Sequence, residues 1–214
     1  VKAIREVLDN NLVHHFTYPS QLRAQYYEKL IQFTDGEFDK AFLLSGGTEA
    51  TEAALKLMRM NGQRIGKKRL GVICMEGSFH GRMLVSLAST WNKSKREPFA
   101  WPGLDSVYCP YPELNDDQIH LAFPKDWRCY WENCIDANVS TPSSWNNDPV
   151  LKLEVDCLYK VQKELQSGQI FAIIIEPMQC EGGDRYSSDR FQTALALMAN
   201  AYQVAIIQDE VQTG

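Results

Sequence analysis

Four short apolar runs constrain the fold of this chain more than any other feature: Ala41 to Leu44, Leu70 to Met75, Ile170 to Ile175 and Val204 to Ile207. They are near-continuous rather than alternating, the pattern of strands covered on both faces. Helical stripes lie between or before them. Leu22, Tyr26, Leu30 and Phe33 fall on one face, as do Ala53, Leu57 and Met60. Leu151, Val155, Leu158, Val161 and Leu165 make a third stripe, and Phe191, Leu195, Met198 and Tyr202 a fourth. Strands alternating with amphipathic helices predict a mainly parallel α/β sheet.

The 214 residues allow one large domain or two small ones with a sizeable core. Hydrophobic residues at 44% and charged residues at 23% are ordinary globular usage, which excludes wholesale disorder and fibrous repeats. A net charge of -5 speaks against binding nucleic acid through a broad basic face. The densest basic run, Lys67-Lys68-Arg69, reads as a solvated turn after a helix. The longest apolar run, Ile170 to Ile175, falls far short of the roughly 18 residues that span a bilayer, so no membrane segment is expected.

Six cysteines show neither a CxxC pair nor a His/Cys cluster at zinc spacing, so no metal site is expected. Reduced thiols in the cytoplasm are the expectation from that pattern, with a mitochondrial matrix left open, and Cys74 between Ile73 and Met75 reads as a core residue. No charged region followed by an apolar one opens the chain, and it stops just as an apolar run delivers Asp209 and Glu210. The expectation is an internal stretch of something longer. The span of about 97–149 holds Trp101, Trp127, Trp131 and Trp145 and most of the prolines. It reads as a long irregular excursion with a short helix after Pro112, serving as a lid or a packing insertion.

The ends of the four runs carry the chemistry. Ser45-Gly46-Gly47-Thr48-Glu49-Ala50 follows the first run and opens a helix, where free backbone N–H groups and the macrodipole suit a phosphate, with the Thr48 hydroxyl adding a donor. Read alone, it serves equally as a tight turn with an N-cap. Gly77-Ser78-Phe79-His80-Gly81-Arg82 follows the second run: an aromatic ring there can cover a flat heterocycle, and an arginine can grip a carboxylate. The rival reading is a core Phe, a solvated Arg and a structural His80. Glu176-Pro177-Met178-Gln179-Cys180-Glu181-Gly182-Gly183-Asp184 follows the third, the crevice where open α/β sheets take ligands; Asp184-Arg185 there can be no more than a surface ion pair. Asp209-Glu210-Val211-Gln212-Thr213-Gly214 follows the fourth. An aspartate ending a buried strand is costly to desolvate unless it meets a cation, and a protonated pyridine nitrogen is such a cation.

The four segments SGGTEATEAALK, GSFHGR, EPMQCEGGD and DEVQTG, in this order, resemble the consecutive motifs of class III aminotransferases. The resemblance implies an α/β fold, the fold type I aminotransferase large domain with a mainly parallel sheet covered by helices, incomplete at both ends. Residues 1–19 would be the remnant of an N-terminal segment and 20–214 part of the cofactor-binding large domain. It also implies pyridoxal 5'-phosphate as cofactor, an amino acid donor, a 2-oxo acid acceptor and a homodimer. Gly47 and Thr48 would hold the cofactor phosphate, and Phe79 would stack on the pyridine ring. Asp209 would pair with the ring nitrogen and Gln212 contact the ring's phenolic oxygen. Glu181 resembles the family's glutamate that pairs with a substrate-site arginine and swings aside for a diacid.

FHGR, EGGD, DEVQTG and Pro98-Phe99-Ala100-Trp101-Pro102 look most like the 4-aminobutyrate and lysine 6-aminotransferase branch, in which Arg82 would bind the substrate carboxylate. Ser45 to Glu52 holds no cysteine, so the iron–sulfur cluster of some branch members is not expected. The family's Schiff-base lysine follows the DEVQTG motif, and none of this chain's lysines follows Asp209. The segment as written is therefore expected to be inactive alone. The contrasting expectation is a non-catalytic relative that keeps the pocket as a binding or scaffold module.

Overall fold

The computed structural model describes residues 1–10, 18–67, 71–100, 103, 106–135 and 142–214. Expectations that fall on Lys68, Arg69, Leu70, Trp101 and Pro102 lie outside the described residues. The chain divides into two compact units, Val1–Leu44 and Ser45–Gly214.

The first unit holds α1 (Lys2–Asp9) and α2 (Gln21–Phe33). Ser20 caps α2 by accepting from the Arg23 N–H at 3.3 Å. The stripe on α2 is not a buried one, since Leu22, Tyr26 and Phe33 are all exposed. The run Ala41 to Leu44 forms no strand. A short apolar run becomes a strand only where a neighbour takes its ladder hydrogen bonds. This run joins no ladder among the described residues, and the Leu43 N–H donates to the Tyr27 hydroxyl at 3.4 Å.

The second unit runs α3 (Gly47–Arg64), β1 (Gly71–Met75), α4 (Leu84–Ala88), α5 (Lys93–Arg96), β2 (Ser106–Cys109), α6 (Trp127–Glu132), α7 (Pro149–Gln166), β3 (Ile170–Ile175), the short pair β4 (Met178–Gln179) and β5 (Arg185–Tyr186), α8 (Asp189–Ala201) and β6 (Ala205–Gln208). Among the described residues the main sheet has four strands, all parallel, in the order β2-β1-β3-β6. Alternate residues of β1 and β3 serve opposite faces. Ile73, Met75, Ile173 and Ile175 join the core of α7 and α8, while Val72, Cys74, Ala172 and Ile174 pack with Leu55 of α3. Two covered faces are why the runs read as continuous apolar sequence.

The stripe on α7 is buried along its whole length, and so are Phe191, Leu195 and Met198 on α8. Burying each such side chain contributes roughly 1.5–3 kcal/mol. On α3 the stripe faces the other way: Leu57 and Met60 are exposed, and Thr51, Leu55 and Gly62 are buried with Met58 against the core. ALKLM is apolar on several sides, so periodicity alone does not choose the face. The span 97–149 is less irregular than its composition suggests. It contributes the edge strand β2, a 3₁₀ turn at Asp116–Gln118 and α6, and it buries Trp127, Trp131 and Trp145 as one aromatic cluster. These three tryptophans belong to the core that α7 and α8 cover. Asp148 accepts from the N–H groups of Val150 and Leu151, with Pro149 at the first helical position, which fixes where α7 starts. Among the described residues no helix is long and apolar enough to cross a membrane.

The strand order reverses between β1 and β3: β2 lies on one side of that pair and β6 on the other. The carboxyl ends of β1, β3 and β6 therefore open onto a topological switch point, where open α/β sheets form binding crevices.

Candidate active site

A cavity of about 370 Å³ lies at that switch point, walled by the starts of α3 and of the segments after β1, β3 and β6. Gly47, Thr48, Phe79, Glu181, Asp209 and Gln212 all line it. Residues from four distant stretches of sequence thus meet in one place. Arg82 does not line it; that side chain is exposed and borders a neighbouring cavity.

Helix α3 enters the cavity wall with Gly46 as its N-cap, and no side chain caps it. Its first helical bond runs from the Ala50 N–H to the Gly46 carbonyl at 3.0 Å, which leaves the earlier N–H groups at the positive end of the macrodipole. Glu52, one and a half turns on, faces elsewhere: its carboxylate accepts from the N–H groups of Val85 and Ser86 and so caps α4. Position 47 is crowded, so that a side chain there would have to displace its neighbour. A Cβ there would sit 2.8 Å and 2.9 Å from the two methyls of Val211.

The loop after β1 is held by buried hydroxyls. The His80 N–H donates to Thr90 Oγ1 at 3.0 Å, and that hydroxyl donates to the Gly81 and Ser86 carbonyls. Gly81 has φ of +125°, and a Cβ there would meet Thr48 Oγ1 at 2.6 Å, so the loop and the start of α3 approach as closely as backbone allows. The Phe79 N–H donates to Glu176 Oε2 at 2.9 Å, tying the loop after β1 to the one after β3.

Asp209 is anchored at both ends. Its N–H donates to the Ile175 carbonyl at 2.8 Å, and its carboxylate accepts from the Val211 N–H at 3.2 Å. The other carboxylate oxygen lies 2.7 Å from His80 Nδ1, with both side chains buried. Sequence reasoning gave His80 a structural role without a partner; the pairing joins β1 to β6 and is invisible to local pattern.

Glu176 is the other buried carboxyl of the cavity. Burial pushes it up to about 8, the Phe79 N–H opposes that, and the charges of Asp209 and Glu181 add to it. Tyr111, from the Trp-rich insertion, donates to the Glu176 and Pro177 carbonyls and fixes the turn that carries this group. Gln179, fully buried, donates to the Glu76 carbonyl and packs the Glu181 loop onto the Gly77 turn.

Glu181 is exposed and pairs with Lys95, which holds its carboxyl below the usual range; Arg82 adds to that effect. Arg185 pairs with Glu113 at 2.6 Å rather than with Asp184. Among the described residues no group of three or more His, Cys, Asp or Glu side chains is placed to hold a metal ion.

Against known proteins, the chain is 32% identical over 192 residues to the mitochondrial acetylornithine aminotransferase of Candida glabrata, covering 87% of this chain and 35% of that one. It is 27% identical over 214 residues to the LysW-aminoadipate semialdehyde/glutamate semialdehyde transaminase of Sulfurisphaera tokodaii, covering 100% of this chain and 42% of that one. The chain thus spans well under half the length of these relatives. In fold it matches the lysine aminotransferase from M. tuberculosis with a TM-score of 0.72 at 21% identity, over 100% of this chain and 45% of that one. The family model for class-III aminotransferases matches residues 1–214, and the chain belongs to that family.

Proposed function

We propose that this cavity binds pyridoxal 5'-phosphate and transfers the distal amine of an ω-amino acid, 4-aminobutyrate or lysine, to a 2-oxo acid such as 2-oxoglutarate, in a homodimer completed by sequence beyond this chain. The observation that carries the reading is the convergence of an uncapped helix start, Phe79 and the buried Asp209 on one cavity of about 370 Å³. Each of the three suits one part of the cofactor: an anion, a flat ring and a protonated ring nitrogen. The close approach of Val211 to Gly47 supports the same fit, because it brings the Asp209 segment against the phosphate end.

The N–H groups of Gly47 and Thr48, with the Thr48 hydroxyl, hold the phosphate. Phe79 covers the ring, and Gln212 contacts its phenolic oxygen. Asp209 keeps the ring nitrogen protonated, and His80 fixes the direction of that carboxylate. When bound, the cofactor supplies an electron sink that lets a proton leave the carbon bearing the substrate's amine. Glu176 holds the Phe79 loop through its backbone and presents little negative charge near neutrality, so Asp209 remains the anion that meets the ring.

Arg82 binds the carboxylate far from the reacting amine. Acetylornithine and lysine, named by relatives of this chain, both carry an amine at the end of an aliphatic stem remote from a carboxylate. In full-length enzyme, Arg82→Ala is expected to raise KM for 4-aminobutyrate or lysine by about tenfold. Amines without a carboxylate should be unchanged. Equal losses for both kinds of amine would show that Arg82 has a structural role and would remove the ω-amino acid reading.

A further inference from the structure

The turn that follows β3 is held from outside. Pro177 has no N–H, so the chain loses a ladder donor as soon as it leaves the strand. The Tyr111 hydroxyl lies 3.1 Å from the Glu176 carbonyl and 2.7 Å from the Pro177 carbonyl and shares its single proton between them. Ser187 adds a second donor to the Pro177 carbonyl, through its own hydroxyl at 3.2 Å.

Tyr111 is itself fixed. Pro112 confines its backbone to extended geometry, and its ring is buried in the core that α7 and α8 cover. Two residues earlier, the Cys109 carbonyl accepts from the Glu76 N–H at 2.8 Å, which anchors this stretch to the end of β1. Three residues later, Leu114 exchanges both backbone hydrogen bonds with Tyr186, at 3.2 Å and 3.0 Å. The stretch 109–114 thus grips the segment after β3 at its start and at its far end. Burial pushes the Tyr111 hydroxyl above its ordinary value, so it remains a donor near neutrality.

This grip reaches the cavity through one side chain. Glu176, only 6% exposed, accepts from the Phe79 N–H at 2.9 Å. The neighbouring amides of that loop stay on the β1 side: Ser78 donates to the Met75 carbonyl at 3.1 Å, and His80 to Thr90 Oγ1 at 3.0 Å. Of the three, the Phe79 amide is the one that crosses to the segment after β3. Phe79 and Glu176 both line the cavity. A relay from the Tyr111 hydroxyl through the Glu176 backbone and carboxyl to the Phe79 amide therefore ends at an aromatic ring that faces a ligand.

We propose that Tyr111 is a positioning residue of this cavity: by holding the turn that carries Glu176, it sets where the Phe79 ring stands over the bound cofactor. The assignment rests on the proposed function. A ligand-facing group works only when the residues behind it hold it to within about 0.5 Å, and the Phe79 loop takes that support from a tyrosine that touches no ligand itself.

Pyridoxal phosphate titrated into cofactor-free, full-length enzyme, followed by visible absorption and circular dichroism, reads the ring contact without turnover. Tyr111→Phe keeps the aromatic ring and removes both hydrogen bonds. Its dissociation constant for the cofactor should rise about fivefold, and the dichroism of the bound cofactor should change because the ring above it has moved. In a Phe79→Leu background the same substitution should alter the constant by less than about twofold, since the group it positions is gone. Glu176→Leu removes the acceptor for the Phe79 N–H and should reproduce Tyr111→Phe. Glu176→Gln keeps an acceptor oxygen and should stay within about twofold of wild type. Unchanged affinity and dichroism in Tyr111→Phe, or equal weakening with Phe and with Leu at position 79, would overturn the assignment. If Tyr111→Phe does not fold, the two Glu176 variants carry the test, and equal affinities of Glu176→Leu and Glu176→Gln sink it. Wild-type protein that takes up no pyridoxal phosphate contradicts the proposed function itself; one that takes it up and ignores position 111 contradicts only the role of Tyr111.

Discussion

The imidazole of His80 stands 2.7 Å from the carboxylate of Asp209, although the two residues lie 129 positions apart in the chain. Parallel pairing of β1 with β3 and of β3 with β6 brings their carboxyl ends side by side, and the pair closes across them. His80→Ala should therefore free the Asp209 carboxylate to rotate. Turnover in full-length enzyme is expected to fall about tenfold or more, as when other outer partners that orient an active group are lost. KM for the amine donor should stay near its normal value. A fall in affinity without a fall in kcat would place His80 at the substrate instead.

Glu176 gives the unfolding equilibrium a pH dependence of definite sign. Its carboxyl is pushed up by burial from 4.5 to about 8, so across that window the folded chain keeps a proton that the unfolded chain has released. Stability from this group falls as pH rises from 4.5 toward about 8. Glu176→Gln should flatten this slope and be more stable than wild type above about pH 8, by roughly 1–3 kcal/mol. Urea unfolding of cofactor-free protein across the range measures it, and a slope unchanged by the substitution would refute the burial argument.

Position 47 tests packing between two loops. Gly47→Ala puts a methyl 2.8 Å from Val211 and must displace the segment that carries Asp209. The expected cost is about 1–3 kcal/mol, together with weaker cofactor retention. Val211→Ala in the same chain removes both opposing methyls and should restore much of the loss. If the second substitution rescued nothing, the contact would not be the cause.

Away from the cavity, Glu154 and Arg190 form a buried ion pair, with Ser188 as a further donor to Glu154. Glu154→Ala leaves a cation in the core and should cost about 3–5 kcal/mol, whereas Glu154→Met with Arg190→Met should cost much less. Thermal unfolding of the single and double variants decides this, and equal losses would argue that packing rather than charge governs the site.

The parts of the fold that depend on covered strands were legible in sequence. Ile170 to Ile175 forms β3 with the bounds its composition suggests, and the Leu151 to Leu165 stripe is the buried face of α7. Ala41 to Leu44 failed as a strand because an apolar run carries no information about whether a partner strand is beside it. Conversely, β2 is a four-residue edge strand, SVYC, only half-buried for most of its length, and it was hidden among tryptophans and prolines. The motifs marked where Gly47, Phe79 and Asp209 would meet. They did not reveal His80 beside Asp209, Glu176 beneath Phe79 or Lys95 beside Glu181, because each of these contacts joins strands or loops far apart in sequence.

Glutamate formation from 2-oxoglutarate in full-length enzyme, with 4-aminobutyrate, lysine or N-acetylornithine as donor, measures the proposed activity itself. Turnover should require added pyridoxal phosphate and fall by about a hundredfold or more in Asp209→Ala, the change that removes the proposed counter-ion of the ring nitrogen. Cofactor-dependent turnover untouched by Asp209→Ala, or no glutamate from any of the three donors, would contradict it.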